Sequence, residues 1–319
     1  MKKLFLLMFL FILVNAFCFS QIRISAKAGV LGSNTDEILW DKYGDDAEIS
    51  SLLKWRTYAA PVISLDTQFN FSKIFFAGLK GFYTIPASYG FIEDFDCANL
   101  FSTGSSELTH YSKHDNHLDN YYNAQIFFGA EKSFLETIKL AARVTVGFSY
   151  YSFTAQNGFK QYGEKIGEQK GHNIFSSWTP DIPQTPMQGN IISFEALNIF
   201  SGLGASLTYI PTDNFSITLL ANALPVIKSK VRDIHYRRNL YSLFDLPFQL
   251  AFDSSLLLEY KLNRENALTA GFNFSAASVK EGKLIQSADN QNWQEAVNPC
   301  GIKQITWKIL LGYTYIYEK

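Results

Sequence analysis

The chain has 319 residues, with 28 Lys and Arg against 29 Asp and Glu, for a formal net charge of −1. That balance argues against a polyelectrolyte partner, so no nucleic-acid role is expected, and a charged content of 18% is below the roughly 25% of an ordinary soluble domain. Aromatic residues make up 16%, including 28 Phe and 17 Tyr, enough apolar material for one large domain.

The opening MKKLFLLMFLFILVNAFCFSQ places two lysines before an apolar run from Leu4 to Val14, then small or polar residues, the layout of a secretory signal peptide. Cleavage after Ser20 or after Ala16 fits, and Ser20 is favoured, dividing the chain into an expected signal peptide, 1–20, and a mature domain, 21–319. No later stretch reaches the ~18 apolar residues of a membrane helix, which leaves a secreted protein or a β-barrel. With Cys18 in the signal, Cys97 and Cys300 remain, either as one disulfide or as two free buried thiols.

Ten segments then read in turn as alternating strands: 22–32, 55–71, 73–86, 120–134, 138–155, 192–210, 214–231, 246–262, 267–279 and 305–317. Short turns fall near Ser72, Leu135 to Thr137, Pro211 to Asp213 and Asn263 to Glu265. Long polar segments lie between, at 33–54, 87–118, 156–190, 232–245 and 280–304. This alternation predicts an all-β fold: a ten-stranded antiparallel transmembrane β-barrel with five long extracellular loops and short periplasmic turns. A secreted β-sandwich fits less well, because its strands are mostly nearer ~5–6 residues. Strands beyond the ~9–11 residues that cross a bilayer carry the barrel past the membrane on the long-loop side. Tyr83, Tyr121, Tyr209 and Tyr313, near strand ends, are candidates for aromatic girdles.

Three pairs of polar residues at a spacing of two sit at the long-loop ends. They are Asp94 and Asp96 in FIEDFDCAN, Ser112 and His114 in HYSKHDNH, and Asp233 and His235 in VRDIHYRRN. In extended chain such residues share a face. An Asp beside a His makes a carboxylate and imidazole pair, and two carboxylates held close push one pKa up or bind a proton, water or cation between them. Taken singly, each pair reads more readily as loop structure; three on one rim point to a site.

Through these residues the chain resembles the omptins, outer-membrane aspartate/histidine endopeptidases on a ten-stranded barrel. The likeness runs in order through GVLGSNTDE (29–37), WRTYAAPVISLDTQFNFSKIFFAGLKGFYT (55–84), EDFD (93–96), SKHDNHLDNYYNA (112–124), YYSFTAQNG (150–158) and RDIHY (232–236). The resemblance implies that Asp233 and His235 form a catalytic dyad and that Asp94 and Asp96 hold the attacking water. Ser112 and His114 take an auxiliary role, and Glu37 binds a basic substrate side chain. It implies peptide or protein substrates, a bacterial outer-membrane location with the site facing outward, contact with outer-membrane lipid, and no cofactor or metal beyond a lipid or glycolipid activator. Oligomeric state stays open.

The sequence departs from the family at three places. A second acid expected beside Glu37 falls on Val231, and an acid of the neighbouring subsite falls on His110. The family's lipopolysaccharide-binding cluster falls on Val146, Phe148 and Tyr150, which do not match it. A catalytically silent barrel acting as an adhesin or receptor is therefore the alternative reading.

Overall fold

Alternating sequence builds a sheet with two unlike faces, and closing that sheet removes the unpaired edges that lipid does not tolerate. The computed structural model describes residues 21–42 and 45–318, so the expected signal peptide, 1–20, lies outside the described residues. Ten long strands follow in chain order: β1 (Gln21–Trp40), β2 (Ile49–Asn70), β3 (Phe75–Thr84 continuing as Ala87–Asp96), β4 (His110–Leu135) and β5 (Ile138–Tyr162). After these come β6 (Asn190–Thr212), β7 (Phe215–Ala223, then Val226–His235), β8 (Leu240–Leu246, then Ala251–Lys261), β9 (Asn266–Ala277, then Gly282–Ser287) and β10 (Gln294–Glu318). Three interruptions fall at Pro86, Pro225 and Pro247, where the ring nitrogen has no hydrogen to give the ladder.

Every strand pairs antiparallel with its chain neighbours, in the lower half and again in the upper half. The ladder returns to its start where β10 pairs with β1, from Gln21 opposite Glu318 to Leu39 opposite Cys300. The ten expected strands are present, and they are longer than their apolar alternation indicated. Much of each long polar segment is strand, including 33–40 of β1 and 87–96 of β3.

In the lower half, the outer face is apolar: Ile63, Leu65, Ile126, Phe128, Val144, Val146, Leu203 and Leu219 are exposed there. The inner face holds ion pairs between Arg23 and Glu259 and between Lys27 and Asp66. Tyr83, Tyr209 and Tyr313 are exposed, as girdle residues must be, whereas Tyr121 is buried and packs on Tyr151 at 5.4 Å between ring centroids. It faces the lumen, so it is not a girdle residue.

Higher up, the outer face becomes charged, with Lys54 opposite Glu93 and Glu93 opposite Lys113. At this level the lumen is filled with apolar side chains. Trp55, Tyr151, Phe153 and Phe194 are almost fully buried and stack, with centroids 5.6 Å apart for Trp55 and Phe153 and 5.9 Å for Tyr151 and Phe194. Each such side chain contributes on the order of 1.5–3 kcal/mol by leaving water. Together they make a rigid floor for what stands above.

Candidate active site

The polar pairs project from strand ends rather than from loops. Asp94 and Asp96 close β3, Ser112 and His114 open β4, and Asp233 and His235 close β7. Glu37 lies near the top of β1. One rung links several of them around the wall: Glu37 is opposite Leu53, Leu53 opposite Asp94, and Asp94 opposite Ser112. All four side chains are buried, so this rung points into the barrel. The outer charge at Lys54, Glu93 and Lys113, one residue away, sets the group beyond the apolar belt.

His235 Nε2 lies 2.8 Å from Asp233 Oδ2. In the neutral ring Nε2–H donates to the carboxylate, which leaves Nδ1 as the acceptor. Burial disfavours the charged imidazole, but the charge and hydrogen bond of Asp233 outweigh it and hold His235 above its ordinary pKa. Asp94 is 5% exposed; burial, then the charge of Asp96, push its carboxyl up to about 7 against the pull of Arg238 and His235. Burial, followed by the charges of Asp233 and Asp94, also holds Glu37 well above the usual carboxylate range, while the Trp55 indole acts in the opposite sense. Asp94 Oδ1, Asp233 Oδ1 and Glu37 Oε2 are buried without a hydrogen-bond partner among the described residues. Buried polar atoms are normally satisfied, so these three mark a place built for something polar to enter.

Ser112 and His114 bond to each other and to β5. The Ser112 Oγ to His114 Nε2 distance is 2.9 Å, and His114 Nδ1 donates to the carbonyl of Asn157. Asn157 sits in the left-handed region at φ 54°. The pair thus ties β4 to an irregular stretch of β5, and burial keeps the His114 ring below its ordinary pKa.

Two of the three departures from the family pattern, Val231 and His110, are accounted for by packing. Val231 belongs to the apolar core with Phe244 and Leu284. His110 is caged by Tyr162 and Phe175, at centroid distances of 4.3 and 4.6 Å, and its Nδ1 lies 2.8 Å from Thr109 Oγ1. Burial pushes its pKa down, so the position presents a neutral aromatic face.

Arg238 was not foreseen. It lies in the turn after β7, three residues past His235, and its Nη2 is 3.2 Å from Asp96 Oδ2. The RR of HYRRN was visible, but only the turn geometry tells which arginine faces inward. Arg237 instead donates to the carbonyl of Gln188, at 2.6 Å.

Of the two alternatives the sequence left for the cysteines, the structure has the free thiols: Cys97 and Cys300 are not bonded to each other. Cys300 pairs with Leu39, Leu39 with Ser51, and Ser51 with Asp96 beside Cys97. Three interstrand steps put the thiols about 14 Å apart around the wall, twice the Cα separation that a disulfide spans. Among the described residues no group of three His, Cys, Asp or Glu side chains is arranged to hold a metal ion.

The family model described as Omptin family matches residues 18–317. In fold the chain is similar to the crystal structure of outer membrane protease OmpT from Escherichia coli, with a TM-score of 0.77 at 17% identity over 93% of this chain and 97% of that one. A second similar structure, the outer membrane protein OprG from Pseudomonas aeruginosa, gives a TM-score of 0.40 at 10% identity, covering 94% and 97%. No curated protein sequence matches the chain.

Proposed function

The chain belongs to the omptin family, and on that premise we propose that it is an outer-membrane endopeptidase whose site opens to the cell exterior. The observation that carries this reading is the placement of the Asp233–His235 dyad against a second carboxyl, Asp94, with buried oxygens left unpartnered on both. A dyad serving only structure would have both of its oxygens satisfied.

In the reaction, a water between the dyad and the Asp94–Asp96 couple attacks the scissile carbonyl carbon. Its proton passes to His235 Nδ1, while Asp233 accepts Nε2–H and stabilises the imidazolium. The carbonyl electron pair moves to oxygen, and the proton on Asp94 is available to that oxygen. Collapse breaks the C–N bond, and the proton on His235 goes to the leaving amine. No covalent bond to the protein forms, and neither cofactor nor metal enters any step.

Glu37 supports a preference for Arg or Lys before the scissile bond. It is buried without a cation, so a substrate ammonium or guanidinium supplies the missing partner. Ser112 and His114 act at a distance, fixing the strands that carry the couple. The direction of opening rests on the strand ends: the site stands at the end opposite the short turns, beyond the apolar belt. Outer-membrane lipid surrounds the lower half, and a glycolipid activator belongs to this reading only as an addition to the assay.

A silent adhesin-type barrel is the second reading, favoured by the apolar Val231 and the neutral His110 where the family pattern has acids. The test refolds the protein in detergent and offers peptides with single and paired basic residues, beside Asp94→Ala and His235→Ala variants. Cleavage by the parent protein that is lost in both folded variants supports the hydrolase. Folded parent protein that cleaves nothing, with or without added glycolipid, gives the position to the adhesin.

A further inference from the structure

Going round the barrel from β3, four interstrand steps through β4, β5 and β6 reach β7, so Asp96 and the turn after His235 stand on nearly opposite walls. The couple and the dyad therefore have no shared strand to fix their separation. Arg238 supplies a link: its backbone N–H donates to the carbonyl of His235 at 3.1 Å, and its guanidinium reaches Asp96 at 3.2 Å. One residue is thus bonded to the dyad's strand by its main chain and to the couple by its side chain. We infer that Arg238 is a positioning residue for the hydrolytic site, a clasp across the cleft that sets the couple and the dyad at a working distance. This inference rests on the hydrolase reading given above.

A competing role is that Arg238 imitates a basic substrate residue and must leave before a peptide can bind. Two features favour the clasp. Its contact is with Asp96, whereas the buried carboxyl without a cation is Glu37, so the site suited to a substrate arginine is not the one it fills. The turn is also held from its other side, where Arg237 bonds to Gln188.

The clasp has an electrostatic signature. The groups facing Asp94 and His235 are Asp96 on β3, Glu37 on β1, Asp233 on β7, and Arg238 itself, with Tyr162 and Lys160 of β5 and His110 of β4 beyond it. The positive charge of Arg238 lowers both Asp94 and His235. Hydrolysis needs His235 without its proton and Asp94 with it, so removing the charge moves both limbs of the pH profile upward together.

The experiment compares parent, Arg238→Gln and Arg238→Lys proteins refolded in detergent, recording kcat and KM against pH and titrating the His235 ring and 13C-labelled aspartate carboxyls by NMR. Folding of each variant is checked by thermal transition. For Gln, the expected result is a lower kcat and a profile moved about one unit alkaline, with matching NMR shifts; for Lys, much of the parent profile is kept. A fall in KM with unchanged kcat in the Gln variant would instead identify a substrate mimic and overturn the clasp. Loss of rate at every pH with no shift in profile or NMR titration would reduce Arg238 to scaffolding and overturn it too. If the parent protein turns nothing over while the Gln variant still moves both titrations, the hydrolase reading fails and takes the positioning role with it, leaving Arg238 as a structural link between β7 and β3.

Discussion

Glu37 and Asp94 stand on one rung of the wall with only Leu53 between them, and each has a buried carboxyl oxygen without a hydrogen-bond partner among the described residues. Burial raises the pKa of both, the charge of Asp233 adds to the rise at each, and Asp94 adds further to that of Glu37. A pair of this kind costs folding free energy and is sensible where binding or catalysis uses it.

The first consequence is a trade between stability and function at Asp94. Its carboxyl is held up at about 7 in the folded protein against the ordinary value of 3.8. The folded state therefore binds the proton more tightly than the unfolded state. Its contribution to stability is fully present below the ordinary value, falls as pH rises through the window up to about 7, and is then absent. Asn does not titrate, so Asp94→Asn gains on the parent across that window, by about 1–4 kcal/mol at pH 8. Thermal transitions in detergent at pH 5 and pH 8 check it; an Asn variant less stable than the parent at pH 8 would contradict the buried charge.

A second prediction concerns the thiols. Because Cys97 and Cys300 lie three strands apart, alkylation under denaturing, non-reducing conditions labels both. Reductant leaves electrophoretic mobility and thermal stability unchanged. An unlabelled pair would require the register of β10, β1, β2 and β3 to be different.

These positions show where the sequence was readable. Asp233 with His235, and Asp94 with Asp96, were legible because a strand's period of two puts them on one face without any knowledge of the fold. The lower strands were legible because lipid outside and water or charge inside give opposite preferences at alternate residues. Above the belt that contrast disappears. The segment 33–40 faces water outside and a polar site inside, so its strand leaves no apolar alternation to detect. Arg238 was hidden for another reason: its direction is set by a turn, where spacing carries no face information. The cysteines stayed undecided because both lie in long-loop segments, and sharing an end of a barrel says nothing about distance around it.

A third prediction tests the floor. Trp55 stacks on Phe153, packs at a tilt against Phe194 and lies beside Glu37. Trp55→Ala opens a cavity that rigid strands cannot close, at a cost of about 3–5 kcal/mol. Trp55→Phe keeps most of the stack, so the expected order of thermal transitions is parent, then Phe, then Ala. Equal transitions for parent and Ala would mean that the floor has little part in holding the upper barrel together.

The last prediction separates hydrolysis from selectivity. Under the proposed function, Glu37 receives a basic side chain and shares no role in activating water, so Glu37→Gln keeps turnover of substrates lacking Arg or Lys. For basic substrates it loses one charge-assisted contact of about 1.5–3 kcal/mol, a fall in kcat/KM of roughly ten- to a hundredfold. The complementary variant is Val231→Asp, which restores the second acid of the family pattern at a position now opposite Phe244 in the apolar core. Without substrate that carboxyl is buried among apolar groups, so the variant melts lower and the loss is greater at alkaline than at acid pH. With a basic substrate the same carboxyl gains a partner, and the ratio of kcat/KM for Arg over an uncharged isostere rises above the parent's. Competition between paired fluorogenic peptides in one reaction measures that ratio directly. A ratio unmoved by either substitution would remove the basic-site assignment from Glu37 while leaving the Asp233–His235 chemistry untouched.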